Sequence, residues 1–464
     1  MPNSYSFGQP DERANADRLK DLRSTEQQVR SILATCHDPA FEDRFIERVR
    51  ERRAGRSDRS QFVQIPDRRG GKTLAAVTRR QPELGEPGEL LIHADDLEQY
   101  HNLLEEAGLV NPAGQEFVAE LKNKVVRLGG LGLDPNELAN RATDLRQQGV
   151  RISIHYMTPM GGAIKSVGSP ELTAGPTPAW PMATDNLEET ESSPIRVVII
   201  DTGVYDVRDD GWLVGLETGD NREDLDDFPQ DGFLDFAAGH GSFCAGIVQQ
   251  IVPEAHLVVR KKLDSDGFAH ELRVARELVV QVQEGLKAGQ HVIVNLSLGT
   301  ETVDDDERPV ALEVALEIID EESRQAGLET VVVAAAGNFC HERECYPAAF
   351  PTVTAVAALT QDLLPAAWSS RGDWVEVCTI GEGVRSTFVP GRESEDNDPH
   401  PERFPENAWA LWSGTSFAAP QVAGAIAKIA IDEGVTPSEA KRRLLNGALA
   451  MPLYGKRVEI LPHI

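Results

Sequence analysis

Ile195-Arg196-Val197-Val198-Ile199-Ile200-Asp201-Thr202-Gly203 is a β-branched run that ends in a carboxylate and a glycine turn. Continuous apolar runs of this length are buried on both faces, so the pattern predicts a parallel strand inside a helix-covered sheet, with Asp201 at its carboxyl end. Open α/β sheets build their sites beyond that end. Downstream, Gly239-His240-Gly241-Ser242-Phe243-Cys244-Ala245-Gly246 puts a histidine between glycines at the head of an apolar helix. Further on, Trp412-Ser413-Gly414-Thr415-Ser416-Phe417-Ala418-Ala419-Pro420 opens another apolar stretch that continues through Ile429. A serine at that position lies beside the orphan N–H groups of a helix start and over the positive end of its dipole, a good place to develop negative charge. Taken alone, Gly414, Thr415 and Ser416 read equally well as an ordinary helix cap.

The three segments gain meaning together. A serine hydroxyl is a poor nucleophile until a base takes its proton, and the base must be held in one tautomer by a third group. Aspartate, histidine and serine each stand here at an element end. On these residues the chain resembles the subtilisin-like serine peptidases, or subtilases. Asp201-Thr202-Gly203, Gly239-His240-Gly241 and Gly414-Thr415-Ser416-Phe417-Ala418-Ala419-Pro420 match that family's aspartate, histidine and serine motifs in its own chain order. Ala335-Ala336-Gly337-Asn338 resembles its oxyanion turn, and Asn295-Leu296-Ser297-Leu298-Gly299 the strand that lines its cleft. Five ordered matches specify what one alone does not.

The resemblance implies a catalytic triad of Asp201, His240 and Ser416, with the Asn338 amide as oxyanion donor. It implies a substrate strand lying between Ser297-Leu298-Gly299 and Ala335-Ala336-Gly337. Gly299 is expected to leave room for a substrate side chain. Neither wall carries a charge, which favours an apolar or medium-sized side chain before the scissile bond. The chemistry requires no cofactor. The chain departs from the family in having Ser242-Phe243-Cys244 where many members carry threonine, histidine and valine, in Thr379 to Gly383, and in an acidic, proline-rich insertion from Gly391 to Glu406.

The composition sets outer limits. With 464 residues the chain is long enough for two or more domains. Its 46 basic against 75 acidic residues give a net charge of −29, which argues against nucleic acid and anionic membranes as partners and leaves protein or peptide substrates. The first residues form no apolar core of signal-peptide length, and no run is long and apolar enough to span a bilayer, so a cytoplasmic location is expected. Five cysteines are too few for a disulfide scaffold. Cys340 and Cys345 could bridge a short loop, but free thiols are the expectation in a reducing compartment.

Along the chain, residues 1–87 form a charged segment with loosely helical apolar spacing from Asp11 to Arg52, then a Gly-, Arg- and Pro-containing stretch without periodicity that reads as loop. Residues 88–160 alternate strand and helix signals: strands at 89–93, 124–128 and 150–157, helices at 95–107 and 134–148. This small α/β unit, ferredoxin-like in pattern, resembles the family's propeptide, which implies an intramolecular inhibitor; a permanent partner-sensing domain is the competing reading. His93, His101 and His155 in it fit no metal-ligand spacing. Residues 161–194 are a proline-rich linker, where a processing cut costs the fold least. The catalytic unit runs from 195 to 464 as a doubly wound parallel sheet with helices on both faces. Its acidic insertion, Asp206 to Asp235, has oxygen donors for a structural calcium but no EF-hand spacing, so a solvated acidic surface is the default. A catalytically silent subtilase fold used for binding is the alternative to a peptidase.

Overall fold

The computed structural model describes residues 15–36, 41–53, 62–68, 71–77, 88–159, 169–173, 175, 192–205, 208–213, 216, 219–227, 230–305, 307–395, 398 and 400–462. Most of the expected linker, with its processing region, lies outside the described residues.

The charged segment folds as α1 (Asn15–Cys36) and α2 (Phe41–Arg53). The stretch expected to be loop contains an antiparallel hairpin, β1 (Phe62–Pro66) and β2 (Lys72–Ala76). Its support is tertiary: Phe62 stacks on Phe268 at 5.1 Å, and Asp67 pairs with Arg343 at 2.7 Å. The small α/β unit follows with β3 (Leu90–His93), α3 (Ala94–Gln99), α4 (His101–Glu106), β4 (Gln115–Phe117), β5 (Val125–Leu128), α5 (Pro135–Arg146) and β6 (Ile152–Ile154). The four strands pair in the order β4-β5-β3-β6. Helix α5 starts where the sequence placed it because Asp134 caps the amides of Asn136 and Glu137 and Pro135 pre-sets the first turn. The single helix expected at 95–107 is interrupted at Tyr100, and the strand expected at 150–157 divides into β6 and β7 (Met157–Pro159), which belong to different sheets. A short strand, β8 (Glu171–Thr173), stands within the linker.

The large sheet begins with β9 (Ile195–Asp201), the run quoted above, buried at every position. Then come α6 (His240–Ile251), β10 (His256–Lys261), β11 (Phe268–His270), α7 (Glu271–Lys287), β12 (His291–Leu296), α8 (Val310–Ala326), β13 (Thr330–Ala335), β14 (Val353–Leu359) and β15 (Val377–Ile380). The chain ends through β16 (Val384–Thr387), β17 (Gly391–Arg392), β18 (Arg403–Phe404), β19 (Trp409–Trp412), α9 (Thr415–Glu433), α10 (Pro437–Leu444), β20 (Leu449–Met451) and β21 (Gly455–Arg457). Among the described residues eight strands form one sheet in the order β10-β9-β12-β13-β14-β15-β21-β20, parallel except for the β20–β21 pair. Alternate residues of β9 serve opposite layers. Ile195, Val197 and Ile199 pack with α6 and α9, whereas Val198 and Ile200 pack with α7 and α8. Strand ends and helix starts therefore converge along one edge of a sheet covered on both faces.

Candidate active site

Asp201 closes β9 and His240 opens α6, and the two are joined by a hydrogen bond of 2.6 Å between Asp201 Oδ1 and His240 Nδ1, with both side chains buried. The approach depends on glycine. A Cβ on Gly241 would stand 2.0 Å from the Gly203 carbonyl, and one on Gly239, whose φ is +83°, would meet the Phe388 ring at 2.4 Å. The Thr202 amide donates to Asp201 Oδ1 at 2.8 Å. His240 is walled by Trp412 and Phe417, with ring centroids 5.8 and 5.2 Å away.

Ser416 is the second residue of α9, and the position of Pro420 explains its surroundings. An α-helix directs the N–H of residue 420 at the carbonyl of residue 416, but proline has no N–H, so the Ser416 carbonyl loses its helical donor. Ser297 Oγ supplies one instead at 2.7 Å, and Cys244 Sγ adds a contact at 3.5 Å. Ser297 Oγ is in turn held by the Asn295 amide at 3.0 Å. The Ser416 hydroxyl donates to the Ser297 carbonyl at 3.4 Å. Cys244, one turn along α6, also lies 4.0 Å from His240 Nδ1, so one buried thiol touches both the histidine and the serine segments.

Asn338 follows β13 through the turn at Gly337, whose φ is +102°. Its Oδ1 accepts from the Thr415 amide at 3.0 Å and the Thr415 hydroxyl at 2.9 Å, and the Gly337 amide donates to that same hydroxyl at 3.1 Å. The Asn338 oxygen is fixed by two donors, and the side-chain NH₂ lies near Gly414, where an added Cβ would stand 3.7 Å from Nδ2. The structure thus joins Asp201 to His240, Ser297 to Ser416, and Asn338 to the start of α9 through Thr415. The side chains of Leu298, Ala335 and Ala336 are buried in the cores beneath, so contact with a substrate strand would fall to their backbone. A Cβ on Gly299 would stand 2.5 Å from Cys345 Sγ, so glycine is what the close packing there admits.

The individual contacts that hold the N-terminal region to the catalytic unit were not legible in the sequence. Strand β7 pairs antiparallel with β11, Met157 opposite His270 and Pro159 opposite Phe268, while the Gly299 amide donates to the Pro159 carbonyl at 3.0 Å. The chain's own residues 157–159 thus lie as an extended strand between β11 and the Ser297–Gly299 segment. The small α/β unit is docked by buried acids of the catalytic unit. Glu271 Oε1 accepts from the Tyr156 amide at 3.0 Å, and Glu307 Oε1 accepts from the Ile154 amide and pairs with Arg146, both at 3.1 Å. Burial pushes the Glu271 carboxyl up to about 8 and raises that of Glu307. Helix α1 is fastened separately. Asp21 pairs with Arg385 at 2.8 Å, Gln28 bonds to the Ser413 hydroxyl and the Leu411 carbonyl, and Cys36 forms a disulfide with Cys340. Cys340 therefore pairs across the molecule, and Cys345 is a free, buried thiol. Nothing local in the sequence marks partners 304 residues apart.

The acidic insertion uses several of its carboxylates as loop ties: Asp226 accepts from the amides of Asp231 and Gly232, and Asp235 from the amide of Asp227 and the hydroxyl of Ser265. One member, Glu223, is buried between the Asp201 and His240 segments. It accepts from the Thr202 and Ser242 hydroxyls, and its carboxyl is pushed up to about 7 by burial, which the two hydroxyl bonds oppose and the charge of Asp201 reinforces. Nothing in the acidic run distinguishes Glu223 from its exposed neighbours.

The sequence profile of the Subtilase family matches residues 193–458. Thermitase of Thermoactinomyces vulgaris is 29% identical over 282 residues, covering 58% of this chain and 84% of the thermitase sequence. The thermophilic serine proteinase of Bacillus sp. (strain AK1) is 30% identical over 244 residues, 52% of this chain and 53% of that protein. In fold, the chain is similar to fervidolysin from Fervidobacterium pennivorans, a keratinolytic enzyme related to subtilisin, with a TM-score of 0.51 and 20% identity over 87% of this chain and 64% of that one.

Proposed function

The chain belongs to the subtilase family of serine proteases, and from that premise we propose that it is an endopeptidase acting through Asp201, His240 and Ser416 and restrained by its own N-terminal region. Ser416 attacks the peptide carbonyl. His240 takes the hydroxyl proton and returns it to the leaving amine, while Asp201 fixes the imidazole and supports its charge. The Asn338 NH₂ and the Ser416 backbone N–H receive the oxyanion, and water then releases the acyl group from Ser416.

The observation that carries the catalytic reading is the buried 2.6 Å Asp201–His240 bond beside a serine-headed helix whose first turn is clamped to Asn338. Restraint is supported by β7. A strand that takes the β11 edge and the Gly299 amide takes backbone groups with which a substrate would pair. On this reading, cutting the chain between 160 and 194 starts activation. The Cys36–Cys340 bridge bears on location, because such bonds persist in oxidising compartments and are rare in the cytoplasm expected from the sequence.

The test is mass spectrometry of the purified protein beside its Ser416→Ala variant, together with hydrolysis of an unstructured peptide. Self-processing requires a cut in the linker that the variant lacks, followed by peptide hydrolysis. A parent chain that stays intact yet cleaves peptide would make the N-terminal unit a permanent domain. One that neither cuts itself nor cleaves peptide after removal of residues 1–194 would leave a binding module on a borrowed fold.

A further inference from the structure

The carboxylate of Glu223 stands behind the triad on a segment that runs beside the Asp201 turn, its amide bonded to the Val204 carbonyl at 3.0 Å. It joins the two elements that carry the aspartate and the histidine. Thr202, next to Asp201, donates its hydroxyl to Glu223 Oε1 at 2.5 Å, and Ser242, two residues after His240, donates to Glu223 Oε2 at 2.5 Å. Both hydroxyls are themselves fixed by backbone donors: the Gly241 amide to Thr202 Oγ1 at 2.9 Å, and the Tyr205 amide to Ser242 Oγ at 2.8 Å. Thr202 Oγ1 also lies 3.3 Å from Asp201 Oδ1. A hydroxyl has one hydrogen, so Thr202 can donate to Glu223 or to Asp201 but not fully to both.

On the reading of the site given above, we propose that Glu223 is a positioning residue for the triad: by holding or releasing the Thr202 hydroxyl hydrogen, it sets how many hydrogen bonds Asp201 accepts and so how strongly Asp201 supports a charged His240. With Glu223 ionised, Thr202 points at Glu223. Asp201 then keeps the Thr202 amide and the imidazole as partners and has a second negative charge behind it, and both features favour the imidazolium. With Glu223 protonated, its own O–H donates to Thr202, whose hydrogen turns to Asp201; the carboxylate is better satisfied and the imidazolium less favoured. No bond is broken and only one proton is taken up from solvent. The ionisable groups facing Glu223 are Asp201 on β9 and, beyond it, His240 on α6. Its sequence neighbours Arg222 and Asp224 are exposed, Asp224 pairing with Lys261. Burial, with Asp201 adding to it, pushes the Glu223 carboxyl up to about 7 against the pull of its two hydroxyl bonds, so both states are populated near neutral pH.

The experiment is the pH dependence of kcat/KM on a fluorogenic peptide for the processed enzyme, for Glu223→Gln and Thr202→Val, and for the two combined. A proton taken up by Glu223 ahead of the imidazole should draw the parent's acid limb out over two steps. Glu223→Gln should collapse the limb to one step and move it towards acid by roughly half a pH unit or more, because the neutral amide no longer supports the imidazolium. In the Thr202→Val background, where the relay is cut, that shift should shrink by about half or more. An acid limb of Glu223→Gln that overlays the parent, or a shift that is undiminished in the Thr202→Val background, overturns the proposal. Should Glu223→Gln fail to fold, the low-field proton resonance of the Asp201–His240 bond in the parent decides: two titration steps support the relay and a single step refutes it. A parent that hydrolyses nothing at any pH strikes the peptidase reading, whereas an active parent with an unmoved limb strikes only the role of Glu223.

Discussion

Replacing Asn338 separates a structural contact at one end of its side chain from the oxyanion role proposed for the other. Its Oδ1 holds the Thr415 amide and hydroxyl, and in the proposed mechanism its NH₂ receives the oxyanion. Asn338→Ala removes both. Loss of one oxyanion donor costs about 10²–10³ in kcat, or roughly 3–4 kcal/mol of transition-state stabilisation. Loss of the acceptor leaves the buried Thr415 N–H without that partner and costs about 1–3 kcal/mol of stability. Asn338→Asp restores an acceptor while replacing the donor with a negative charge, so it should recover most of the stability and none of the rate. The assays are thermal unfolding and steady-state kinetics on a soluble peptide, with kcat and KM resolved separately. The alanine variant should lose kcat with little change in KM, and the aspartate variant should unfold near the parent temperature yet turn over no faster than the alanine variant. A kcat for Asn338→Ala within about tenfold of the parent, or a rate that recovers along with stability in Asn338→Asp, refutes the reasoning.

The disulfide between Cys36 and Cys340 predicts that a chain cut within 160–194 runs as one species on a non-reducing gel and as two after reduction; separation without reductant would contradict the pairing. Docking of the small α/β unit should weaken as pH rises. Burial raises the Glu271 carboxyl from its ordinary 4.5 to about 8 in the docked state; with Glu271 hydrated at the ordinary value once the unit leaves, the docked state's advantage is full below 4.5 and lost on rising through about 8. The inhibition constant of the separated N-terminal unit, measured across that range, should therefore climb with pH; tighter inhibition at alkaline pH would show the sign to be wrong. Cys244 lies 3.5 Å from the Ser416 carbonyl and is fully buried, so its modification by a mercurial should abolish hydrolysis and Cys244→Ser should remove the sensitivity. Full turnover by the modified parent would exclude the packing described.

The features legible in the sequence were those written in local pattern. The unbroken apolar run of β9, the glycines around His240 and the small residues before Ser416 mark element ends, and those ends meet where a parallel sheet brings them. What stayed hidden depends on contacts across the chain. The hairpin β1–β2 shows no periodicity of its own and is held by Phe268 and Arg343. Strand 150–157 reads as one because alternation continues through it, yet its first half pairs with β3 and its second with β11. That the side chains of Leu298, Ala335 and Ala336 pack inward is set by the layers beneath them and not by the motif they stand in. Ser297 was expected to meet substrate through its backbone and is also the donor that replaces the N–H absent from Pro420. Glu223 carries no mark at all within an acidic run, since burial is what distinguishes it.

The central claim, that Ser416 is the activated nucleophile, is tested most directly by treating the linker-cut protein with a fluorophosphonate and mapping the adduct by peptide mass spectrometry. The account predicts a single stoichiometric adduct on Ser416 that disappears in His240→Ala. Failure to label, or an adduct on another residue, would contradict it.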